Sequence, residues 1–440
     1  MASQVNEKPF ELAEHSRIFP GEHSKSIEDV VRSAVDPRLK NLSLSRDDED
    51  LLKGNLKGIL KITPLKEGLS ISSTSHIGVA NFDSFSVVVK PKVLMCPKSL
   101  FGMINYAYEL DFKPLPEYAP KFGENFLIDI IITSFVKQCQ VLIKRGLYKS
   151  YVTHQDNISF LRGKLLIKQH LQNVLKNKPQ FFCEFDELEY DNLENQIILF
   201  CLRRSYKLIK HDELKKDIRK LMFQISTVVS DQYVTKYDVE KIHYTRQNHQ
   251  YVKIHEVCKL ILESSGIVDL FSDRRHIVNS FFIDMNTIFE KFVFILFRES
   301  FQDEFHVSEQ KKKKVWNIDD ERTKSIRTDI LLEGIKSSKK IVIDTKYKDD
   351  ISDSDLYQIG FYVHEYSQKG LELERKRGYA VLPTRKNEPE LKKSTYISEK
   401  QRIAVVKSFF NIDKAVSLLY SQEPNASEEL RSMLESLLDE

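Results

Sequence analysis

Close pairs of cysteines are missing from this sequence. The five that occur, Cys96, Cys139, Cys183, Cys201 and Cys258, are scattered and form no C-x-x-C. An odd count without near neighbours argues against a disulfide framework or a cysteine zinc site, and suits a reducing cytoplasm. Long apolar runs are missing too. The start, Met1-Ala2-Ser3-Gln4-Val5-Asn6-Glu7-Lys8, has no hydrophobic signal core, and no run reaches membrane-spanning length. No G-x-x-x-x-G-K-[ST] loop and no G-x-S-x-G elbow occurs, which argues against nucleotide hydrolysis in a P-loop of the chain's own. Excess charge is small: a net +3 does not argue for nucleic acid, so any such contact must come from local basic patches. What remains is 41% hydrophobic and 30% charged residues over a length of 440. That is an ordinary soluble globular composition with room for two or three domains.

Taken in order, residues 1–50 are polar and end in Ser45-Arg46-Asp47-Asp48-Glu49-Asp50, which reads as a polar N-terminal arm. From 51 to 98 short β runs follow one another: Gly58–Ile62, Leu69–Ile71, His76–Val79 and Ser86–Val89, separated by Gly, Asn and Ser. Lys90-Pro91-Lys92 closes them, because proline cannot donate to a ladder. Residues 99–265 read as mainly helical, with helices over Leu100–Leu110 and Phe126–Gly146, another through Leu171, and one opened by Asp191 and Asn195. Arg203 to Lys220 carries eight basic residues against three acidic ones, a face that suits phosphate but equally an exposed bundle helix. His243, His249 and His255 recur at six-residue steps, which fits no helical zinc pair. Ser264-Ser265-Gly266 reads as a linker, and residues 266–440 as a further α/β domain.

The informative stretch lies in that last domain, from Ile326 to Lys348. Ile326–Gly334 and Lys340–Lys348 are apolar, β-branched runs joined by Gly334 and Ser337-Ser338, the pattern of a β-hairpin. Side chains alternate along a strand, so Asp344 and Lys346 share a face, and Asp329 can reach it from the neighbouring strand. Two carboxylates and an ammonium converging there suit a Mg²⁺ site, since hard divalent cations take oxygen ligands and keep several waters. The lysine would position or activate a water beside the metal. The same residues also fit a surface hairpin whose charges are simply solvated. Upstream, Val278–Ser300 reads as an apolar helix, and Glu290 within it is either a costly buried carboxylate or a residue on the outer face. Downstream, Asp353–Gln368 reads as a helix with Gln358 and Tyr362 at i and i+4, and Arg377–Leu382 and Arg402–Phe409 as strands. Lys311-Lys312-Lys313-Lys314 forms a basic patch near these residues, or else a solvated strand edge.

The pair Asp329 and Asp344-Thr345-Lys346 resembles the PD-(D/E)xK nuclease signature, with Thr328 where a proline often stands. Order and spacing then resemble the McrC family over roughly residues 55–410. The matching motifs are Gly78-Val79, Val87–Lys92, Leu100–Ala107, Gly146-Leu147 with Tyr151, Leu161-Arg162-Gly163-Lys164-Leu165, and Asp191 with Asn195. The first 50 residues and the last 30 have no counterpart. The resemblance implies a C-terminal restriction-endonuclease-like α/β domain behind a small β-rich domain and a helical middle region. It implies a Mg²⁺-dependent endonuclease subunit of a modification-dependent, 5-methylcytosine type restriction system acting on double-stranded DNA. In that role Asp329, Asp344 and the Thr345 carbonyl would hold the metal, Lys346 would orient the water, and Glu290 and Gln358 would support them. The family further implies a hexameric, McrB-like AAA+ GTPase partner that binds GTP and recognises the modified base, with residues 51–98 docking to it. Two other readings stay open: a nuclease of another anti-phage system with a different motor, or a non-cleaving activator of an AAA+ ring.

Overall fold

The computed structural model describes residues 9–21, 33–54, 56–91, 97–108, 110, 126–209, 211–263, 280–318, 322–337, 339–366, 376–384, 393–400 and 402–438. The chain forms two compact units, and they do not follow one another along the sequence. One is built from Met1–Glu124 together with Ser265–Glu440, the other from Asn125–Ser264. The expected linker at Ser264-Ser265-Gly266 lies outside the described residues.

The discontinuous unit begins with strands β1 (Phe10–Ala13), β2 (Arg17–Phe19) and β3 (Ser33–Val35) and helix α1 (Arg46–Lys53). It continues with β4 (Leu60–Leu65), β5 (Gly68–Ser73), β6 (His76–Asn81), β7 (Ser86–Lys90) and helix α2 (Pro97–Ala107). Part of the expected polar arm is therefore folded. Phe10, Leu12, Ile18 and Phe19 are buried, and β1 pairs with β7 through Phe10 opposite Val87. A few apolar positions suffice here because a partner strand completes the core.

The second unit comprises α3 (Phe126–Arg145), β8 (Ser150–Ile158), β9 (Lys164–Leu165), α4 (Ile167–Leu175), β10 (Phe181–Glu189), α5 (Leu193–Leu208), α6 (Asp212–Ser226), α7 (Lys236–Glu240) and α8 (Val252–Glu263). Helices make up most of this unit, and β8, β10 and β9 add a three-stranded sheet that was not expected. Its strands are held partly by polar cross-strand pairs, Thr153 Oγ1 to Asp186 at 2.7 Å and Gln155 Nε2 to Glu184 at 2.6 Å. Such a half-wet sheet gives little apolar periodicity to read. Asn195 is fully buried and acts as a strut. Its Nδ2 donates to the carbonyls of Tyr148 (2.9 Å) and Tyr190 (2.8 Å), and its Oδ1 accepts from the Tyr251 hydroxyl (2.6 Å). His255 is buried between the Tyr244 hydroxyl and the Glu194 carbonyl, and burial depresses its pKa to about 4, so it stays neutral.

The chain then returns to the first unit as β11 (Phe281–Asp284), α9 (Met285–Phe301), β12 (Phe305–Ile318), β13 (Arg322–Gly334), β14 (Lys340–Thr345) and α10 (Asp353–Tyr366). It ends with β15 (Lys376–Pro383), β16 (Ser394–Ser398), β17 (Ile403–Phe410), α11 (Ile412–Leu419) and α12 (Ala426–Leu438). The helix expected from Val278 is shorter: Phe281–Asp284 is a strand that completes the sheet β1-β7-β6-β11. Asp284 caps the helix behind it, accepting from the Asn286 N–H at 3.0 Å. Phe282 joins the N-terminal core with Phe10, Val87 and Val89. At the crossing stands Gly78, with φ +149°, where an added Cβ would lie 1.9 Å from the Phe281 carbonyl oxygen.

The largest sheet runs β12-β13-β14-β15-β17-β16. Helix α10 covers one face, with Ile359 and Val363 against Leu331, Val342, Leu382, Ile403 and Val405. Gly378 on β15 allows that approach, since an added Cβ would sit 2.4 Å from a Val363 methyl. Phe410, which follows Phe409 on β17 and so points to the other face, packs against Phe289 and Phe292 of α9. The terminal helix α12 is tied on by the Tyr379 hydroxyl to the Leu438 carbonyl (2.8 Å) and the Ser408 hydroxyl to the Leu437 carbonyl (2.9 Å).

Replacing Gly78 by valine should cost about 2–4 kcal/mol, because it adds both a disfavoured φ and a collision with backbone. Urea unfolding followed by circular dichroism measures this, and a loss below about 0.5 kcal/mol would mean that β6 and β11 do not cross so closely.

Candidate active site

The antiparallel ladder between β13 and β14 runs from Glu333 opposite Lys340 to Ile330 opposite Ile343. The next residues on each strand are Asp329 and Asp344, so continuing the register sets them across from one another. Asp329 is fixed from β14 itself: its Oδ2 accepts from the Thr345 N–H at 2.9 Å and from the Thr345 hydroxyl at 3.2 Å. Asp344 is fully buried, and its Oδ1 has no hydrogen-bond donor among the described residues. Its Oδ2 faces the Lys346 ammonium at 2.7 Å. Lys346 follows the end of β14, and its N–H donates to the Val381 carbonyl of β15 at 2.9 Å.

Glu290 approaches from α9. It is half-buried and accepts from Gln310 Nε2 at 3.0 Å, Gln310 being a β12 residue at φ +46°. Burial, then the charge of Asp329, lifts the Glu290 pKa to about 7. Burial, then the same Asp329 charge, lifts Asp344 to about 7 as well. Asp329 is also raised, by burial against the opposing Thr345 hydrogen bonds. Lys346 is raised in spite of burial, because Asp344, Asp329 and Asp355 all favour its charged form. Acids that hold protons near neutrality are under-compensated anions, the condition that a cation relieves.

Gln358 lies on α10, and its Nε2 donates to the Tyr362 hydroxyl at 2.7 Å. That contact is internal to the helix face and touches none of the three acids. Two residues escaped the sequence reading. Asp355 in the first turn of α10 stands 4.0 Å from the Lys346 ammonium and also pairs with Lys348. Hydrogen bonds from Lys348 and Ser352 outweigh its burial and keep its pKa low. Its signal was the Ser352-x-x-Asp355 spacing, in which the Ser352 N–H donates to Asp355 at 2.6 Å. Arg327, two residues before Asp329, lowers the pKa of both Glu290 and Asp329 through its charge. Strand alternation alone could have placed it.

Mg²⁺ is a fair fit to this geometry. Among the described residues no three His, Cys, Asp or Glu side chains gather closely enough to hold a metal ion together. Magnesium, however, uses one or two carboxylates and keeps its waters, and Asp344 Oδ1 is a buried acceptor still lacking a partner.

These features describe a mixed α/β protein with a paired-acid and lysine centre where β14 of its largest sheet ends beside β13. Residues 71–373 match the family model described as McrBC 5-methylcytosine restriction system component, and the chain belongs to that family. In fold it is similar to a chain from a refined half-complex of the tetradecameric assembly of Thermococcus gammatolerans McrB AAA+ hexamers with bound McrC. That likeness has 19% identity and a TM-score of 0.52, and covers 98% of this chain and 100% of the other. A chain of the cryo-EM structure of the Thermococcus gammatolerans McrBC complex is similar at 24% identity and TM-score 0.40, over 65% of this chain and 86% of that one. No curated protein matches. Among the described residues no helix is long and apolar enough to cross a membrane.

The raised acids set a pH dependence. A carboxyl whose folded pKa lies above its unfolded value stabilises the folded chain below the unfolded value, and this is lost as pH rises through the folded one. In chelator, stability should therefore fall between about pH 4 and 7, the span between the ordinary aspartate value and the value of about 7 for Asp344. Asp344→Asn should remove part of that fall, gaining roughly 1–3 kcal/mol over wild type at pH 8. Urea titrations at pH 5 and pH 8 compare the two; parallel pH profiles would show that Asp344 ionises normally.

Proposed function

We propose that this chain is an McrC-like DNA endonuclease subunit that hydrolyses phosphodiester bonds with Mg²⁺ and works with an McrB-like AAA+ GTPase. The observation that carries the reading is the buried Asp344, with an unpartnered oxygen, set across from Asp329 and beside Lys346. Asp329 and Asp344 would hold the ion, with the Thr345 carbonyl as the further oxygen. The ion would supply Lewis acidity toward a phosphate oxygen and ease deprotonation of the attacking water. Thr345 keeps Asp329 turned toward Asp344 through its N–H and hydroxyl. Lys346, held charged by Asp344 and Asp355, would offset phosphate charge and orient the water. Glu290, poised near neutrality, would exchange a proton at the edge of the site. Gln358 would help place a group beside Lys346. The α/β domain of β12–β17 with α9 and α10 has the helix and strand order of the PD-(D/E)xK fold, which supports the assignment.

We infer a docking surface for the motor outside the expected residues 51–98. Among the described residues of 51–98 no large apolar side chain is exposed, whereas Ile167, Leu171, Val174 and Leu175 of α4, with Tyr151, Phe160 and Leu161 beside it in sequence, are. An apolar set of that size on one surface element marks an interaction site. We assign it to the AAA+ partner, with GTP bound by that partner.

Asp344→Ala and Asp329→Ala should abolish Mg²⁺-dependent cleavage while leaving partner binding intact. Lys346→Met keeps the aliphatic stem and should lower single-turnover cleavage by roughly 10²-fold or more, with Mg²⁺ affinity little changed. Purified variants, assayed with the partner and GTP, decide this. Wild-type rates for Asp344→Ala would remove the site assignment, and absence of cleavage by the wild-type complex would favour a non-cleaving activator.

A further inference from the structure

The four consecutive lysines on β12 are not equivalent. Lys313 meets Glu365 and the Tyr366 ring of α10, and Lys311, two residues before it and so on the same side of the strand, pairs with Glu333 of β13. Lys312 and Lys314 are exposed and have no ion-pair partner among the described residues. In the ladder, Lys312 stands directly opposite Arg327 and Lys314 opposite Ser325. Residues opposite each other share a face, so Lys312, Lys314, Arg327 and Ser325 form one exposed surface. That surface leads to the acids. Arg327 precedes Asp329 by two residues and its charge reaches both Glu290 and Asp329, while Gln310, two residues before Lys312, donates to Glu290.

A cation set directly across from a cation destabilises a strand pair. An anion relieves the arrangement: Glu290 and Asp329 feel the charge of Arg327, and no described carboxylate pairs with Lys312 or Lys314. Protection of the β12 edge would explain lysines on either face. It gives no reason for the unpaired cations to be confined to the side away from Lys313 and α10, where the charge of Arg327 reaches Asp329 and Glu290. We propose that Lys312, Lys314 and Arg327 are a phosphate track for duplex DNA, seating the backbone of the strand that enters between Asp329 and Glu290. The proposal rests on the nuclease reading for its substrate, yet it makes a separate claim about binding.

Each phosphate contact on B-DNA contributes about 0.9 to the slope of log affinity against log salt. Lys312→Gln/Lys314→Gln should therefore flatten that slope by roughly 1.8, and Arg327→Gln by about 0.9. The control is Lys311→Gln/Lys313→Gln, which removes the same charge from the opposite face and should leave the slope unchanged. The measurement is fluorescence anisotropy of a labelled duplex in EDTA, with the full chain alone and with its AAA+ partner, each variant first checked by thermal melting. A flattened slope in the exposed-face variants only establishes the track. Equal flattening in both double variants, flattening in neither, or no duplex binding by wild type under either condition overturns it. The two readings separate cleanly: cleavage by wild type with unchanged slopes removes the track alone, and a track without Mg²⁺-dependent cleavage removes the nuclease alone.

Discussion

Everything at the site depends on burying one carboxylate, Asp344, at the end of a central strand. A lone ionised carboxylate there would be costly, and the surroundings answer the cost incompletely. Lys346 covers one oxygen at 2.7 Å and nothing described covers the other. Asp329, locked by Thr345 on the same strand, adds a second negative charge rather than relieving the first. A fold that sought stability alone would place an apolar residue at 344. What is retained is a buried negative charge that the chain's own described residues compensate only in part.

The surrounding architecture keeps that arrangement from relaxing. Helix α9 carries Glu290 toward Asp329 and is capped by Asp284, the last residue of β11. Because β11 belongs to the sheet of β1, β7 and β6, the N-terminal sheet sets where α9 begins and so where Glu290 stands. Tyr347, next to Lys346, is buried against Phe289 of α9, and burial followed by the nearby charge of Glu14 raises its pKa. Glu14 follows β1. The two distant halves of the sequence thus meet on both flanks of the acid pair, which explains why they form one compact unit.

The motifs of the middle region take on structural roles by the same logic. Asp191 accepts from the Ser230 N–H at 3.0 Å and from Gln196 Nε2 at 2.8 Å, and Asn195 ties Tyr148, Tyr190 and Tyr251 together. These side chains satisfy backbone groups at the junction between the β8–β10 sheet and the bundle, where unpaired donors would be expensive. Gly163 at φ +65° would meet the Glu184 carbonyl at 2.2 Å if it carried a Cβ. The Leu161–Leu165 motif therefore marks a close approach of two chain segments rather than a chemical site.

Local pattern was enough to read the β13–β14 hairpin, helix α10 and the strands around residues 376–383 and 403–410, because alternation and helical spacing are properties of neighbouring residues. It was enough, too, to bring Asp344 and Lys346 to one face. The apolar run Phe281-Phe282-Ile283 could not be told from helix, since its partner Ile77–Val79 lies about 200 residues earlier. Strands β8 and β10 escaped for a related reason, being half-exposed and rich in polar pairs. The division of Lys311–Lys314 was decided by Glu365 and Tyr366 of α10, which engage Lys313, and by Glu333 of β13, which engages Lys311. Asp355 reaches Lys346 only because α10 begins beside the end of β14. The sequence by itself determined which residues alternate and which acids stand near a lysine. Tertiary structure decided which are buried, because burial depends on what long-range pairing lays over them.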